Sequence, residues 1–297
     1  MYQHHSAQLP DGKRLHLQQG PIDLIIAAEG TETEVQKAFE QANLVFDGLL
    51  ARLVLDLGAL RSPYSADLLV HGDVAQRMVR AVAPFASQFV TPMAAVAGSV
   101  ADHVCQHICK TCDLTKLYVN NGGDIALFLA SGESYRVGLV ADVAQPGLNG
   151  TIDITADQGI GGIASSGWKG RSHSFGIADT VTVLADCAAE ADVAATLIAN
   201  AVNLPACDKI TRQPAHSLDL DSDLGERLVT VDVKRLSADE VEEALSAGEA
   251  QAQEYLAQGL IKACALTLQG STRIVGTMCL PTILQSTQLN QLEGAQL

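Results

Sequence analysis

The chain has 297 residues, a formal net charge of −15, and hydrophobic residues at 47% of positions. That acidity, with no Lys/Arg stripe, excludes nucleic acid and anionic membrane surfaces, which draw their affinity from cations laid along phosphates. The hydrophobic share excludes a disordered chain and suffices for one large core.

The first twenty residues carry His4, His5, Asp11, Lys13 and Arg14 with no apolar run, unlike a secretory signal. Leu15 to Ala28 reads as two strands broken at Gly20-Pro21. Thr31-Glu-Thr-Glu34 is a capping box, followed by apolar residues at helical spacing from Val35 to Phe46. The apolar segment Leu44 to Leu60 is interrupted by Asp47, Arg52 and Asp56, so it does not read as a membrane span. Val74 to Ala83 reads as a second helix, and Thr91-Pro92 begins a third with Thr as N-cap and Pro at its first position. Strands are expected at Leu117–Asn120, Ile125–Leu129, Tyr135–Ala141 and Gly150–Ile154, and through Val181 and Val183. A helix follows from about Ala188. Ser237-Ala-Asp-Glu240 is a second capping box, Lys262–Gln269 and Arg273–Cys279 flank a closing turn at Gly270-Ser271, and the tail from Gln285 is expected to fray. Helices alternate with strand pairs, which points to an α+β fold, read here as one domain over residues 1–297 with any subdivision near 84–92. Seven cysteines, an odd number, read as reduced thiols and a cytoplasmic location.

Four groups could carry chemistry. Asp192 and Thr196, four apart on one helix face, suit a hard cation such as Mg²⁺ that keeps water and phosphate ligands. The same spacing fits an Asp that complements the helix dipole beside a Thr packed among alanines. Asn120-Asn121-Gly122-Gly123-Asp124 allows positive φ and close approach to a ligand, or is simply a tight turn. Ser165-Ser166-Gly167 through His173, with Lys169 and Arg171, could contact phosphate or be an exposed polar loop. Cys105, Cys109 and Cys112, with His103 and His107 nearby, have spacing used for iron–sulfur clusters. No Gly separates them, however, and at i, i+4 and i+7 they equally form a buried helical stripe. A sulfur-carrying thiol beside Lys110 is a third reading.

In chain order these pieces resemble the ApbE family of flavin transferases. Val119-Asn-Asn-Gly-Gly-Asp-Ile125 resembles the family's N-x-G-G-D-I strand, and Gly98-Ser-Val-Ala-Asp102 its K-G-Y-A-V-D helix start without the Lys. Ala164-Ser-Ser-Gly167 resembles its A-T-S-G turn, and Ala191-Asp-Val-Ala-Ala-Thr196 its A-D-A-L-A-T metal helix. The resemblance runs from about Pro92 to Val202. It implies antiparallel sheets backed by helices, related to the tunnelling fold, and transfer of the FMN half of FAD to a protein acceptor with Mg²⁺ at the pyrophosphate. Metal ligation then falls to Asp192 and Thr196, and flavin-nucleotide contacts to Asn121, Gly122, Gly123, Asp124, Ser165, Ser166 and Gly167. His173 or Asp179 is the candidate base. Such sheets often extend across subunits, which implies a homodimer. The family's H-I-x-D-P-x-T-G segment is replaced by His173-Ser-Phe-Gly-Ile-Ala-Asp179, without Asp-Pro, and no export signal is seen. The chain is thus similar to the short cytoplasmic branch linked to sulfide-based sulfur assimilation. The departures leave open two alternatives: a sulfur-transfer protein using Cys105, Cys109 or Cys112, and a non-catalytic binding subunit.

Overall fold

Antiparallel pairing organises the structure, a computed structural model that describes residues 4–140 and 148–277. The chain opens with three strands, β1 (His5–Gln8), β2 (Arg14–Gln19) and β3 (Ile22–Gly30). Helices α1 (Glu32–Phe46), α2 (Leu49–Leu55), α3 (Leu57–Leu60), α4 (Asp73–Val82) and α5 (Val96–Thr111) follow. Five strands come next, β4 (Leu114–Asn121), β5 (Asp124–Leu129), β6 (Ser134–Val140), β7 (Leu148–Thr155) and β8 (Gly162–Ser166). After these stand β9 (Thr180–Ala185), α6 (Ala188–Ala201), β10 (Ile210–Pro214), α7 (Ala215–Leu218) and β11 (Leu228–Val233). Helix α8 (Ala238–Ala257) and strands β12 (Ala263–Leu268) and β13 (Ser271–Gly276) complete the described chain.

Nine strands form one sheet in the order β1-β2-β3-β4-β5-β8-β9-β12-β13, every neighbouring pair antiparallel. Side chains alternate between its two faces. Ala126, Ala164, Val181 and Val183 turn to the main core under α1, α5, α6 and α8. Leu127, Ile163 and Leu184 turn the other way, onto a smaller cluster completed by Ile152 and Ile154 of the β6–β7 hairpin. Strand β9 is therefore buried along its whole length, and its Val-rich sequence suits a strand covered on both faces. This is the expected α+β arrangement of antiparallel sheets backed by helices.

The two capping boxes differ. At α8 both halves form: Ser237 Oγ accepts from Glu240 N at 3.3 Å, and Ser237 N donates to the Glu240 carboxylate at 2.5 Å. At α1 only Thr31 Oγ1 caps, accepting from Glu34 N. The Glu34 carboxylate instead takes the Asp113 N–H at 2.7 Å, because the end of α5 lies beside the first turn of α1. The helix expected from Pro92 begins as a 3-10 turn at Pro92–Ala95 before α5 proper. Cys279, the expected end of the last strand, and the tail from Gln285 lie outside the described residues, as does Ala141. Among the described residues no helix is long and apolar enough to cross a membrane.

Candidate functional site

The first turns of α5 and α6 meet head to head, and each helix supplies a carboxylate to the other. Asp102, buried on α5, accepts the N–H groups of Ala188 and Ala189 at 3.0 and 2.9 Å. Asp192, one turn into α6, accepts the Gly98 N–H at 3.0 Å, with the Ala97 N–H beside it. Each pair satisfies helix N-terminal donors that would otherwise lack partners. So Asp192 does complement a helix dipole, but it is the dipole of α5 and not that of its own helix. The contact is close because Gly98 has no side chain; a Cβ there would stand 2.3 Å from the Ala188 carbonyl oxygen.

Beside this junction stand the β4–β5 turn and the end of β8. Asn121 ties that turn to α5, its Nδ2 donating to Ala97 O at 3.1 Å. Gly122 and Gly123 are the two residues of a tight hairpin turn, with φ of +67° and +117°, conformations that favour glycine. The absence of a side chain at Gly122 has a second use: the Arg171 guanidinium occupies the space a Cβ would need. Asp124, first residue of β5, accepts from the Ser165 N–H at 3.4 Å. Ser165 Oγ in turn bonds Thr182 Oγ1 at 2.8 Å, and Gly167 packs against the Asp179 carbonyl where the chain leaves β8.

Electrostatics ties these pieces together. Desolvation pushes the Asp124 carboxyl up to about 7, against the opposing pull of the Ser165 N–H and the Arg171 charge. Asp192 is pushed well above the ordinary carboxylate range, first by desolvation and then by repulsion from Asp124. Asp124, Asp192 and Thr196 are nevertheless only half-buried by their surface exposure, crowded by protein without being fully sealed. Among the described residues the Thr196 hydroxyl, one turn beyond Asp192, has no hydrogen-bond partner.

Two carboxylates raised by desolvation, with mutual repulsion acting on Asp192 and a free hydroxyl close by, suit a hard divalent cation. Among the described residues no three His, Cys, Asp or Glu side chains converge tightly enough to cage a metal. That is compatible with Mg²⁺, which takes one or two carboxylates and completes its shell with water and phosphate oxygens.

The other residues singled out in the sequence stand as follows. Asp179 is held by structure: it pairs with Lys169 at 3.1 Å and accepts the Gln269 N–H at 2.5 Å. His173 is half-buried on the same β8–β9 connection, and Ser166 ends β8 opposite Val181. Cys105 and Cys109 lie on α5 and Cys112 caps its end, so the three follow a helix. The Cys105 thiol donates to Cys109; Cys105 is held well above its ordinary value by that bond and by burial, and Cys109 below it. Arg171, a candidate phosphate contact in the sequence, reaches the Gly-Gly turn, and Asp102, the end of the Gly98–Asp102 motif, lies under α6; spacing assigned neither placement. Arg171 lies some fifty residues from the turn it touches, so only the tertiary fold brings them together.

The model of one protein family, described as AbpE bacteria, matches residues 6–274. The chain belongs to that family. Among curated relatives, it is 40% identical over 128 residues to UPF0280 protein MK0206 of Methanopyrus kandleri, covering 43% of this chain and 48% of that one. A UPF0280 protein of Methanothrix thermoacetophila is 38% identical over 141 residues, covering 47% and 56%. The AbpE-family chain thus spans about half the length of these relatives. Among solved structures, the flavin transferase ApbE from Vibrio cholerae aligns over 92% of this chain and 96% of its own, with 13% identity and a TM-score of 0.42. The apo flavinyl transferase ApbE of Pseudomonas stutzeri aligns over 100% and 99%, with 12% identity and a TM-score of 0.40.

Proposed function

We propose that this AbpE-family chain binds a flavin dinucleotide between the α5–α6 junction and the β4–β5 turn, and transfers its FMN half to an acceptor hydroxyl on a protein. The observation that carries the reading is the pair Asp124 and Asp192: two half-buried carboxylates driven above their usual range, with no cation among the described residues placed against both. Asp124, Asp192 and Thr196 would hold Mg²⁺, whose chemistry is to neutralise charge on the pyrophosphate and on the transferred phosphoryl group. Arg171, the Gly122-Gly123 turn and Ser165, Ser166 and Gly167 would contact the same phosphates. In the transfer, the acceptor oxygen forms a bond to the FMN phosphorus, the bond to the AMP oxygen breaks, and AMP leaves. The acceptor proton passes to a base on the β8–β9 connection. His173 suits this role better than Asp179, whose two oxygens are engaged by Lys169 and Gln269.

The test is quenching of FAD fluorescence by the purified protein, with and without Mg²⁺, followed by assay of AMP release. Binding strengthened by Mg²⁺ is expected. Absence of quenching in both conditions would overturn the reading in favour of a non-catalytic subunit.

A second reading rests on the Cys105–Cys109 pair, in which a half-buried thiol of lowered proton affinity takes a hydrogen bond from a buried one. Such a thiol is a better nucleophile at neutral pH than an unassisted one. As a sulfur carrier, Cys109 would take up a sulfur atom from polysulfide, with a shorter polysulfide leaving. Intact-mass and peptide mass spectrometry after polysulfide treatment is expected to place one added sulfur on Cys109 and none on Cys264, which is fully buried. Labelling spread evenly over the cysteines would remove this reading.

A further inference from the structure

On another face of α5, away from Gly98 and its contact with α6, a cavity of about 430 Å³ opens between α1, α2, α4 and α5. Its walls are Leu44, Val45, Leu49, Leu53, Val74 and Ala75, and its polar end carries Arg52, His71, Asp73, His103 and His107. This size and this division into an apolar body and a polar end are those of a small-molecule site.

Three features of the polar end point to a negatively charged head group. The cavity is lined by Gly72 to Ala75, the first turn of the ten-residue helix α4, and its N-cap, Gly72, has no side chain to cap the helix. First-turn N–H groups have no partner within a helix, and here the Asp56 carboxylate is taken up by the His71 and Gly72 N–H groups and the His71 ring, while Asp73, the first residue of α4, makes no side-chain cap. The second feature is His103. It is only 8% exposed, lines the cavity, and among the described residues its ring nitrogens have no hydrogen-bond partner. Its neighbour His107 is fixed, because His107 Nδ1 bonds the His103 carbonyl oxygen at 2.8 Å. The third feature is the sign of the local charge. Burial first, then His107, Arg77 and Arg52, lower the His103 proton affinity to about 4, and Asp73 alone of the facing groups opposes them. Two cations, Arg52 and Arg77, thus act on His103, the second of them also paired with Asp102 at 3.8 Å.

We infer that this cavity is a binding site for a small organic acid, whose carboxylate or phosphate head lies on the α4 N-terminus and His103 while its apolar body lies against Leu44, Leu49 and Leu53. The site is separate from the proposed flavin site and does not depend on it. Because a bound anion favours the imidazolium, the protein takes up a proton on binding, so affinity rises as the pH is lowered toward about 4, the value for free His103.

The experiment titrates benzoate, phenyl phosphate and inorganic phosphate into the full chain while following the histidine Cε1–H resonances by NMR. Saturable shifts of the His103 resonance are expected with benzoate or phenyl phosphate, and weaker ones with inorganic phosphate, which lacks the apolar body. The preferred head group separates a carboxylate ligand from a phosphate one. His103→Leu is expected to weaken binding about tenfold or more, and His103→Gln, which keeps one donor, by less. No shift with either aromatic probe at about 10 mM, on the order of the weakest binding worth calling a site, would overturn the inference. So would unchanged affinity in folded His103→Leu, or selective broadening of His103 and His107 by Ni²⁺ with no response to the anions.

Discussion

Asp192→Asn is expected to reduce Mg²⁺-dependent AMP release from FAD by about a hundredfold or more, while leaving the melting temperature at pH 8 unchanged or slightly higher. The first figure follows from removing one of two charged ligands to a metal that contributes several kcal/mol of charge stabilisation. The second follows from what Asp192 experiences in the fold. It is desolvated and faces Asp124, and both effects disfavour its charge. Asparagine keeps an oxygen for the Gly98 N–H but carries no charge to be repelled. A residue that served only as a helix cap would behave in the opposite way: losing its charge would weaken the cap by about 0.5–2 kcal/mol and leave metal dependence untouched. Asp192→Ala, which removes the acceptor as well, is expected to lower both quantities.

The same pair sets a pH dependence whose sign is fixed. A carboxyl raised in the folded state holds its proton where the unfolded chain has already released it. Stability contributed in this way is present at low pH and declines as the pH rises from the ordinary carboxylate range toward 7, the value for Asp124. A bound divalent cation reverses the preference, because it stabilises the two charged forms. Addition of Mg²⁺ is therefore expected to raise the melting temperature at pH 8 more than at pH 5.5, with a ceiling of about 3 kcal/mol at a hundredfold excess over the dissociation constant. Asp192→Asn should remove that difference. An equal rise at both pH values, or one retained in the variant, would place the cation elsewhere.

How much of this was legible in the sequence depended on the range of the interaction that specifies it. Helix α8 is written out locally by Ser237, Glu240 and the apolar positions from Val241, and both halves of its cap form. The Gly122-Gly123 turn is equally local, since two adjacent glycines between apolar strands leave few other conformations. Strand β1, with the sequence His-Ser-Ala-Gln, has no apolar alternation to reveal it and forms only because β2 offers an edge. Strand β10 hides for a similar reason, having one buried residue, Ile210, and ending in Pro214. The capping box at Thr31 failed halfway because a distant N–H, that of Asp113, competes for Glu34. At the site, the i, i+4 spacing of Asp192 and Thr196 was visible. The arrival of Asp124 from a hairpin, of Arg171 from the β8–β9 connection, and the exchange of carboxylates between α5 and α6 were not, because each is a contact between segments that share no local pattern.

That exchange makes one short stretch of backbone, Cys187-Ala188-Ala189, the support of the whole site, and two glycines grip it. From α5, Gly98 lies against the Ala188 carbonyl; from β8, Gly162 lies against the Cys187–Ala188 peptide. A Cβ on Gly162 would stand 2.1 Å from Ala188 N and from Cys187 C, and 2.3 Å from Cys187 O. These are backbone atoms at the start of a helix packed against β8 and β9, so no rotamer change relieves the contact. Gly162→Ala must instead push α6 off the sheet or shift β8, and close-packed interiors resist either. The expected cost is about 3 kcal/mol, at the upper end for overpacking, or roughly 5–10 °C in melting temperature. Function should fall further than stability. Moving the first turn of α6 by a few tenths of an ångström strains the Ala188 and Ala189 bonds to Asp102 and displaces Asp192, one turn along, from Gly98 and from Asp124. Loss of the pH-dependent Mg²⁺ stabilisation at temperatures where Gly162→Ala remains folded would show that the glycine sets the spacing of the carboxylates. A variant that melts early but keeps the full Mg²⁺ response would confine its role to packing.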